Sequence, residues 1–185
     1  TENGSAIVSG TRYSRAVTVD VISNEADAVI AATHNGQPFT SGTTIGDNGS
    51  HTISATARDT FGHTSPAKEI TFTIDREGPV VTITDPQNGA TVSTERIHVR
   101  GTVTGDPVSA TIDGAPLPLS ASAFDAEVAL EIGFNEITVI ALDAAGNSGV
   151  GRVEVTRGGG TLGIRDAVVE GVGAEVQAVY PITRG

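Results

Sequence analysis

Apolar residues alternate with polar ones in short runs along most of the chain, and this period of two is typical of strands with one buried face. Such runs begin at Val17, Ile53, Ile70, Ile97, Val108, Ala126, Ile137 and Val153. Valine and threonine fill many of these positions, as a pleated surface favours. No long window places apolar residues at i, i+3, i+4 and i+7, so the pattern predicts strands and almost no helix.

Tight-turn signals separate the runs. Asn35-Gly36 and Asp113-Gly114 each follow a predicted strand. Both residues of such a pair tolerate the positive φ that a two-residue hairpin turn requires. Short strands with a turn roughly every 8 to 12 residues predict an antiparallel sandwich or barrel.

One stretch of the chain occurs twice. Residues 57–64 (ARDTFGHT) return 84 positions later as residues 141–148 (ALDAAGNS), and Ile53 matches Ile137 at the same offset. Self-similarity at a fixed offset marks copies of one structural unit. The repeat therefore predicts two small β modules in tandem instead of one large domain.

Proline and glycine mark the boundaries of the modules. Gly78-Pro79 sets a bend that ends the preceding strand, and three glycines at 158–160 form a flexible break. We predict modules at residues 1–76 and 77–157, followed by a linker and the start of a further segment at 158–185. Because the inter-module linker has only a few residues, we expect the modules to lie end to end with limited freedom.

Composition narrows the class of partner. The formal net charge is −11, from 22 acidic and 11 basic residues. This excess of negative charge disfavours nucleic acid and anionic membrane surfaces as binding partners, and it favours solubility. Cysteine, methionine and tryptophan are absent, so an antibody-type core with its disulfide and tryptophan is excluded. We expect no membrane insertion, and a chain that begins at Thr1 reads as a segment of a longer protein.

The stretch at residues 113–157 resembles the bacterial Ig-like repeats of secreted and surface proteins. Those repeats carry a short hairpin and then the pattern L..G.N.ITV.A.D.AGN. The matching positions here are Leu130, Gly133, Asn135, Ile137, Thr138, Val139, Ala141, Asp143, Ala145, Gly146 and Asn147. Residues 33–79 resemble a sister type, with His63 where asparagine is usual.

The resemblance implies an all-β fold with two tandem immunoglobulin-like antiparallel β-sandwiches and a short C-terminal β or irregular extension. It also implies a bacterial extracellular or cell-surface location. The implied role is that of non-catalytic structural or adhesive spacer modules. Their partners are neighbouring domains of the same longer chain, and a glycan or a surface protein is a further candidate partner.

Two alternatives stay open. One is a carbohydrate-binding accessory module of a secreted polysaccharide-degrading enzyme, although the chain has no tryptophan to stack on a sugar. The other is an upstream spacer of an Rhs-type toxin protein, because residues 173–182 resemble the segment that opens the shell domain of such toxins. No histidine has a nucleophile or paired carboxylate at a diagnostic spacing, so we predict no catalytic site.

The repeated stretch supplies the candidate binding residues. Asp59 and Asp143 follow a predicted strand, where an aspartate accepts hydrogen bonds from backbone N–H groups two residues on and forms a turn. Phe61 and His63 lie at the tip of the first copy, and we regard them as candidate ligand-binding residues because loops on a rigid sandwich carry function. The alternative interpretation is that Phe61 packs on a neighbouring module or loop.

A calcium site between the modules is the sharpest metal hypothesis. In an Ig-type sandwich the Asp143 loop lies at the N-terminal end of its module and should face the linker. Asp75, Glu77, Asp106 and Asp143, with Asp47 as an addition, are the candidate ligands, since calcium prefers six to eight oxygens including carboxylates. The alternative is that these acidic residues only solvate the surface. No other cofactor is expected.

Overall fold

The computed structural model describes residues 5–159, 168–172 and 175–179. This part of the chain forms seventeen β-strands and no helix. In particular, it includes no helix with the length and apolar character needed to cross a membrane. The all-β fold class predicted from the alternating pattern is confirmed.

The first sandwich contains seven strands. They are β1 (Thr11–Tyr13), β2 (Val17–Val19), β3 (Val29–His34), β4 (Gln37–Phe39), β5 (Thr43–Ile45), β6 (Gly49–Arg58) and β7 (Lys68–Ile74). Five strands form one sheet in the order β1-β7-β6-β3-β4, and β2 pairs with β5. Side chains from both sheets form one core, which consists of Ile7, Val17, Val19, Ile45, Ile53, Phe72 and Ile74.

The second sandwich contains eight strands. They are β8 (Val80–Asp85), β9 (Ala90–Val92), β10 (Arg96–Thr104), β11 (Pro107–Ile112), β12 (Ala115–Pro116), β13 (Ala123–Ala129), β14 (Gly133–Asp143) and β15 (Ser148–Arg157). One sheet has the order β13-β10-β8 and the other β12-β11-β14-β15-β9.

Alternation along the strands builds the core of the second sandwich. On β14, Ile137, Val139 and Ala141 are buried, while the residues between them are more exposed. Burial of each valine or isoleucine side chain stabilises the fold by about 1.5–3 kcal/mol. Phe124, the aromatic residue of this core, is also buried, as is Phe72 in the first sandwich. Both phenylalanines therefore have structural roles.

The two predicted hairpin turns are present. Asn35 and Gly36 have φ values of 50° and 80°, and Asp113 and Gly114 have φ values of 46° and 81°. These left-handed conformations at both central residues suit a tight hairpin between twisted strands. They join β3 to β4 and β11 to β12.

Two short strands pair in a way that the sequence did not indicate. β1 runs parallel to β7, with Thr11 opposite Phe72, and β9 runs parallel to β15, with Ala90 opposite Val155. Each sandwich thus places a short strand near its start beside its last strand. The pairing joins distant parts of the chain, so no local pattern reports it.

The C-terminal extension contains the antiparallel hairpin β16 (Val168–Val172) and β17 (Glu175–Val179). The toxin-like resemblance at residues 173–182 falls on β17 and on residues outside those described, so it stays a prediction. The module boundaries at residues 76 and 157 also stay predictions.

Candidate functional site

The repeated stretch folds into the same loop in both sandwiches. In the second, Asp143 Oδ1 accepts hydrogen bonds from the backbone N–H groups of Ala145 (2.8 Å) and Asn147 (2.9 Å). Oδ2 accepts one from the Asn147 side chain at 2.8 Å. Burial by itself raises the pKa of the Asp143 carboxyl, but these hydrogen bonds outweigh it and hold the pKa below its usual value.

In the first sandwich, Asp59 has the same role. Its Oδ1 accepts from the N–H groups of Phe61 (2.9 Å) and His63 (2.8 Å), and its Oδ2 accepts from His63 Nδ1 at 2.8 Å. The His63 side chain is the largest cause of the lowered pKa of Asp59. Both aspartates are therefore turn-forming residues whose carboxylates bond within their own loops.

The Asp143 loop faces the linker, here defined as residues 75–79. Asn147 Nδ2 donates to the backbone oxygen of Asp75 at 2.8 Å and to that of Glu77 at 3.4 Å. This is the placement expected from the Ig-type topology. The second sandwich thus holds the linker through one asparagine.

The first sandwich holds the linker from the other side through its β5–β6 turn. Asn48 Oδ1 accepts from the Arg76 N–H at 3.2 Å, and Asn48 Nδ2 donates to Glu77 Oε1 at 3.2 Å. Arg76 Nη1 donates to the backbone oxygen of Gly46 at 3.1 Å. Hydrogen bonds from both sandwiches therefore fix the same short segment. We call this arrangement the junction.

Glycines let the linker approach the second sandwich closely. A Cβ at Gly78 would lie 2.7 Å from the backbone oxygen of Ser148. A Cβ at Gly149 would overlap the backbone oxygen of Pro79, which cannot move without moving the linker. The junction is consequently packed as well as hydrogen-bonded.

Two of the candidate calcium ligands, Asp75 and Glu77, have other partners in the junction. Asp75 Oδ1 accepts from the Glu77 N–H at 3.2 Å, and Glu77 Oε1 accepts from Asn48. Asp106 lies in the β10–β11 turn with a φ of 52°. Across residues 5–159 and the two C-terminal strands, no three His, Cys, Asp or Glu side chains are grouped to hold a metal ion. The calcium site and its alternative, acidic residues that only solvate the surface, both stay untested hypotheses.

The candidate ligand-binding residues lie at an exposed tip. Phe61 is 87% exposed, so it does not pack on another part of the described chain, and packing on a further module stays a prediction. The His63 side chain is 83% exposed and borders a cavity of about 240 Å³ that also contacts Asp59 and Ser23. Binding at this tip stays a prediction.

Sequence reasoning missed two features of the first sandwich. One is Asn48 in the β5–β6 turn, because its contact with the linker depends on the fold. The other is a hydrogen-bonded pair between His34 and His51, on neighbouring strands β3 and β6. The period-two pattern contains no signal for such a pair.

Two β-sandwiches in tandem, joined through a short bonded linker, are the architecture of Ig-like or fibronectin III-like modules. Residues 79–157 match the family described as glucodextranase, domain B. The resemblance to bacterial Ig-like repeats is therefore confirmed.

The chain is similar in sequence or in structure to several known proteins. Bacillopeptidase F of Bacillus subtilis (strain 168) is 34% identical over 102 residues, which are 55% of this chain and 7% of that protein. The fibronectin(III)-like modules of Clostridium thermocellum CbhA are 19% identical with a TM-score of 0.47, covering 85% of this chain and 93% of that chain. The Bacteroides ovatus SGBP-B, solved with a mixed-linkage heptasaccharide, is 13% identical with a TM-score of 0.31, covering 84% and 45%.

Proposed function

We propose that the two sandwiches are a non-catalytic, stiff spacer that positions neighbouring domains of a longer bacterial extracellular protein. The observation that carries this proposal is the junction. Asn48 from the first sandwich and Asn147 from the second both hydrogen-bond the linker. Domains joined by a free linker move relative to one another by default. A linker that is hydrogen-bonded from both sides restricts this motion, and this restriction is what a spacer requires.

The hydrogen bonds are sufficient in number to restrict the linker. Each contributes on the order of 1 kcal/mol net, and fixing one backbone residue costs about 1–2 kcal/mol of conformational entropy. The bonds from Asn48, Asn147 and Arg76 act on three consecutive linker residues, and the Asp75 N–H also donates to the Tyr13 oxygen at 2.9 Å. Packing at Gly78 and Gly149 adds to them.

The exposed face of the β13-β10-β8 sheet also suits a spacer. Its charges are paired across strands, since Arg100 bonds both Asp125 (2.8 Å) and Asp85 (3.0 Å), and Arg96 bonds Glu127 (2.7 Å). Charged side chains that already form ion pairs with one another attract a charged partner only weakly. The net charge of −11 keeps such modules apart at high local concentration.

Rotational motion of the two sandwiches tests the proposal. ¹⁵N relaxation should give one common correlation time for both sandwiches in the full chain, and two shorter ones when Asn48→Ala and Asn147→Ala are combined. Asn88→Ala is a matched control, because Asn88 Oδ1 accepts from the Glu154 N–H at 2.8 Å, a side-chain to backbone bond away from the junction. Separate correlation times in the unaltered chain would refute the stiff spacer.

A glycan-binding role is the second candidate, and the exposure of Phe61 is the observation that favours it. Sugar rings stack on exposed aromatic faces, and Phe61 lies at a loop tip beside His63. Binding on a glycan array that is lost in Phe61→Ala but kept in Phe134→Ala would support this role, since Phe134 is 66% exposed elsewhere. No signal for the unaltered chain would reject it.

A further inference from the structure

His34 and His51 form a hydrogen-bonded pair inside the first sandwich. His34 Nε2 lies 2.9 Å from His51 Nδ1, and His51 Nε2 lies 2.8 Å from the backbone oxygen of Asp47. His51 is buried, with 4% of its surface exposed. Both ring nitrogens of a buried imidazole therefore have partners within the protein.

The partners determine where the protons are. A carbonyl oxygen only accepts, so His51 Nε2 carries the proton that it donates to Asp47. In the neutral ring Nδ1 of His51 is then an acceptor, and His34 Nε2 must be the donor to it. The Nδ1 of His34 is consequently the ring nitrogen of the pair that is left to take a further proton.

The surroundings of the pair disfavour charge. The His51 ring lies 5.3 Å from the Phe72 ring, and the His34 ring lies 6.1 Å from Phe39, edge to face. Burial lowers the pKa of His34 and proximity to His51 lowers it further, while the Asp47 carboxylate opposes both. Tyr13 contacts the Phe72 ring at 5.9 Å, and Arg76 reaches the adjacent turn through the Gly46 oxygen.

The pair is connected to the junction through a single turn. Asp47, whose carbonyl oxygen accepts from His51, is flanked by Gly46 and Asn48. Those two neighbours make the contacts with Arg76 and Glu77 in the linker. The histidine pair thus holds one side of the turn, and the linker is bonded to the other side.

We propose that the His34–His51 pair is a proton-sensitive contact that keeps the junction ordered at neutral pH and loosens it on acidification. This inference rests on the proposed stiff junction. A first added proton at His34 Nδ1 leaves the bond between the rings in place. A second, at His51 Nδ1, would set two N–H donors face to face, so the rings must separate, and a shift of the His51 ring would displace the Asp47 carbonyl group to which it still donates.

Proton linkage gives the direction of the effect. A histidine in the unfolded chain takes up a proton near pH 6.5, whereas the lowered pKa of His34 makes the folded chain take up that proton only at a lower pH. The unfolded state therefore binds more protons in this range, and stability falls as pH drops below about 6.5. The same proton uptake that destabilises the first sandwich frees the turn at the junction.

The test uses the full chain with one spin label on each sandwich. The distance distribution should be narrow near pH 7.5 and several times broader near pH 5, in parallel with titration of the two rings followed by ¹⁵N NMR. His34→Gln combined with His51→Gln should remove the pH response. His98→Gln, which alters an exposed histidine paired with Asp125, should keep it.

The outcomes separate the two proposals. A broad distribution at neutral pH would refute the stiff junction, and a narrow one that persists near pH 5 while both rings titrate would refute the proton-sensitive contact alone. If the double variant does not fold, His34→Gln alone replaces it in the pH test. His34 is only partly buried, so this single change is easier to accommodate. A response in His34→Gln equal to that of the unaltered chain would overturn the inference.

Discussion

Asn147 and His63 occupy the same position of the repeated loop, but Asn147 also donates to the backbone oxygen of Asp75 at 2.8 Å. An amide nitrogen has two N–H groups, so Asn147 bonds Asp143 and the linker at once. His63 donates its Nδ1–H to Asp59 and has no second hydrogen on that atom. One residue difference between the copies therefore decides which loop can hold a linker in this way.

Replacement of Asn147 by alanine should destabilise the second sandwich by about 1–3 kcal/mol, because Asp143 is buried and loses a hydrogen-bond donor. Urea unfolding measures the change. Asn88→Ala should cost less, since its carbonyl acceptor serves only the exposed Glu154 N–H. Equal losses in the two variants would contradict the role given to Asn147.

Replacement of Gly149 by alanine should be more disruptive than its size suggests. The new Cβ would overlap the Pro79 oxygen, so the linker must shift and the unfolding free energy should fall by about 2 kcal/mol or more. Gly158→Ala is the control, since its Cβ would meet the Val92 oxygen at an ordinary 3.7 Å. Thermal unfolding of both variants gives the comparison, and a Gly149→Ala chain as stable as the control would argue against close packing.

The Asp125 carboxylate should contribute stability that is lost only in acid. His98 and Arg100 lower its pKa below the usual 3.8, so its contribution is present above that value and disappears as pH falls through the lowered pKa. Asp125→Asn should lower the melting temperature at neutral pH and flatten its dependence on pH below about 4. Asp27→Asn, at an exposed site, should leave the profile unchanged.

Addition of calcium distinguishes the two interpretations of the acidic residues near the linker, which are a calcium site and solvation of the surface. The Asp143 carboxylate accepts three hydrogen bonds inside its loop, and Glu77 accepts one from Asn48. We therefore expect no change in melting temperature when calcium is added to a chelator-treated sample. A clear increase that Asp106→Asn abolishes would establish a calcium site instead.

The features that could be predicted from the sequence are those that depend on local residue preferences. Asn35-Gly36 needs only its own backbone preferences to form a turn, and the alternation around Ile137 needs only the strand period, so both were predicted. The contact of Asn48 with Arg76 depends on how the β5–β6 turn of the first sandwich packs against the linker. This packing is set by the tertiary structure and has no local sequence signal. The His34–His51 bond likewise depends on the register of β3 against β6, in which His34 lies opposite Ile53.

The repeat was informative because the match between residues 57–64 and 141–148 places the Asp59 loop and the Asp143 loop at equivalent positions of the two modules. It predicted the turn-forming aspartates, whereas the orientation of the Asp143 loop toward the linker was predicted from the Ig-type topology that the family resemblance implies. It could not predict the exposure of Phe61, because the hydrophobic character of phenylalanine favours burial and only the fold shows that nothing within the described chain covers it.

The distance between the two sandwiches tests the stiff junction most directly. The chain has no cysteine, so Glu69→Cys on β7 and Glu154→Cys on β15 allow one spin label on each sandwich. At neutral pH we predict a single narrow distance distribution, which broadens when Asn48→Ala and Asn147→Ala are added. A distribution that is already broad without those changes, and that they do not alter, would contradict the account.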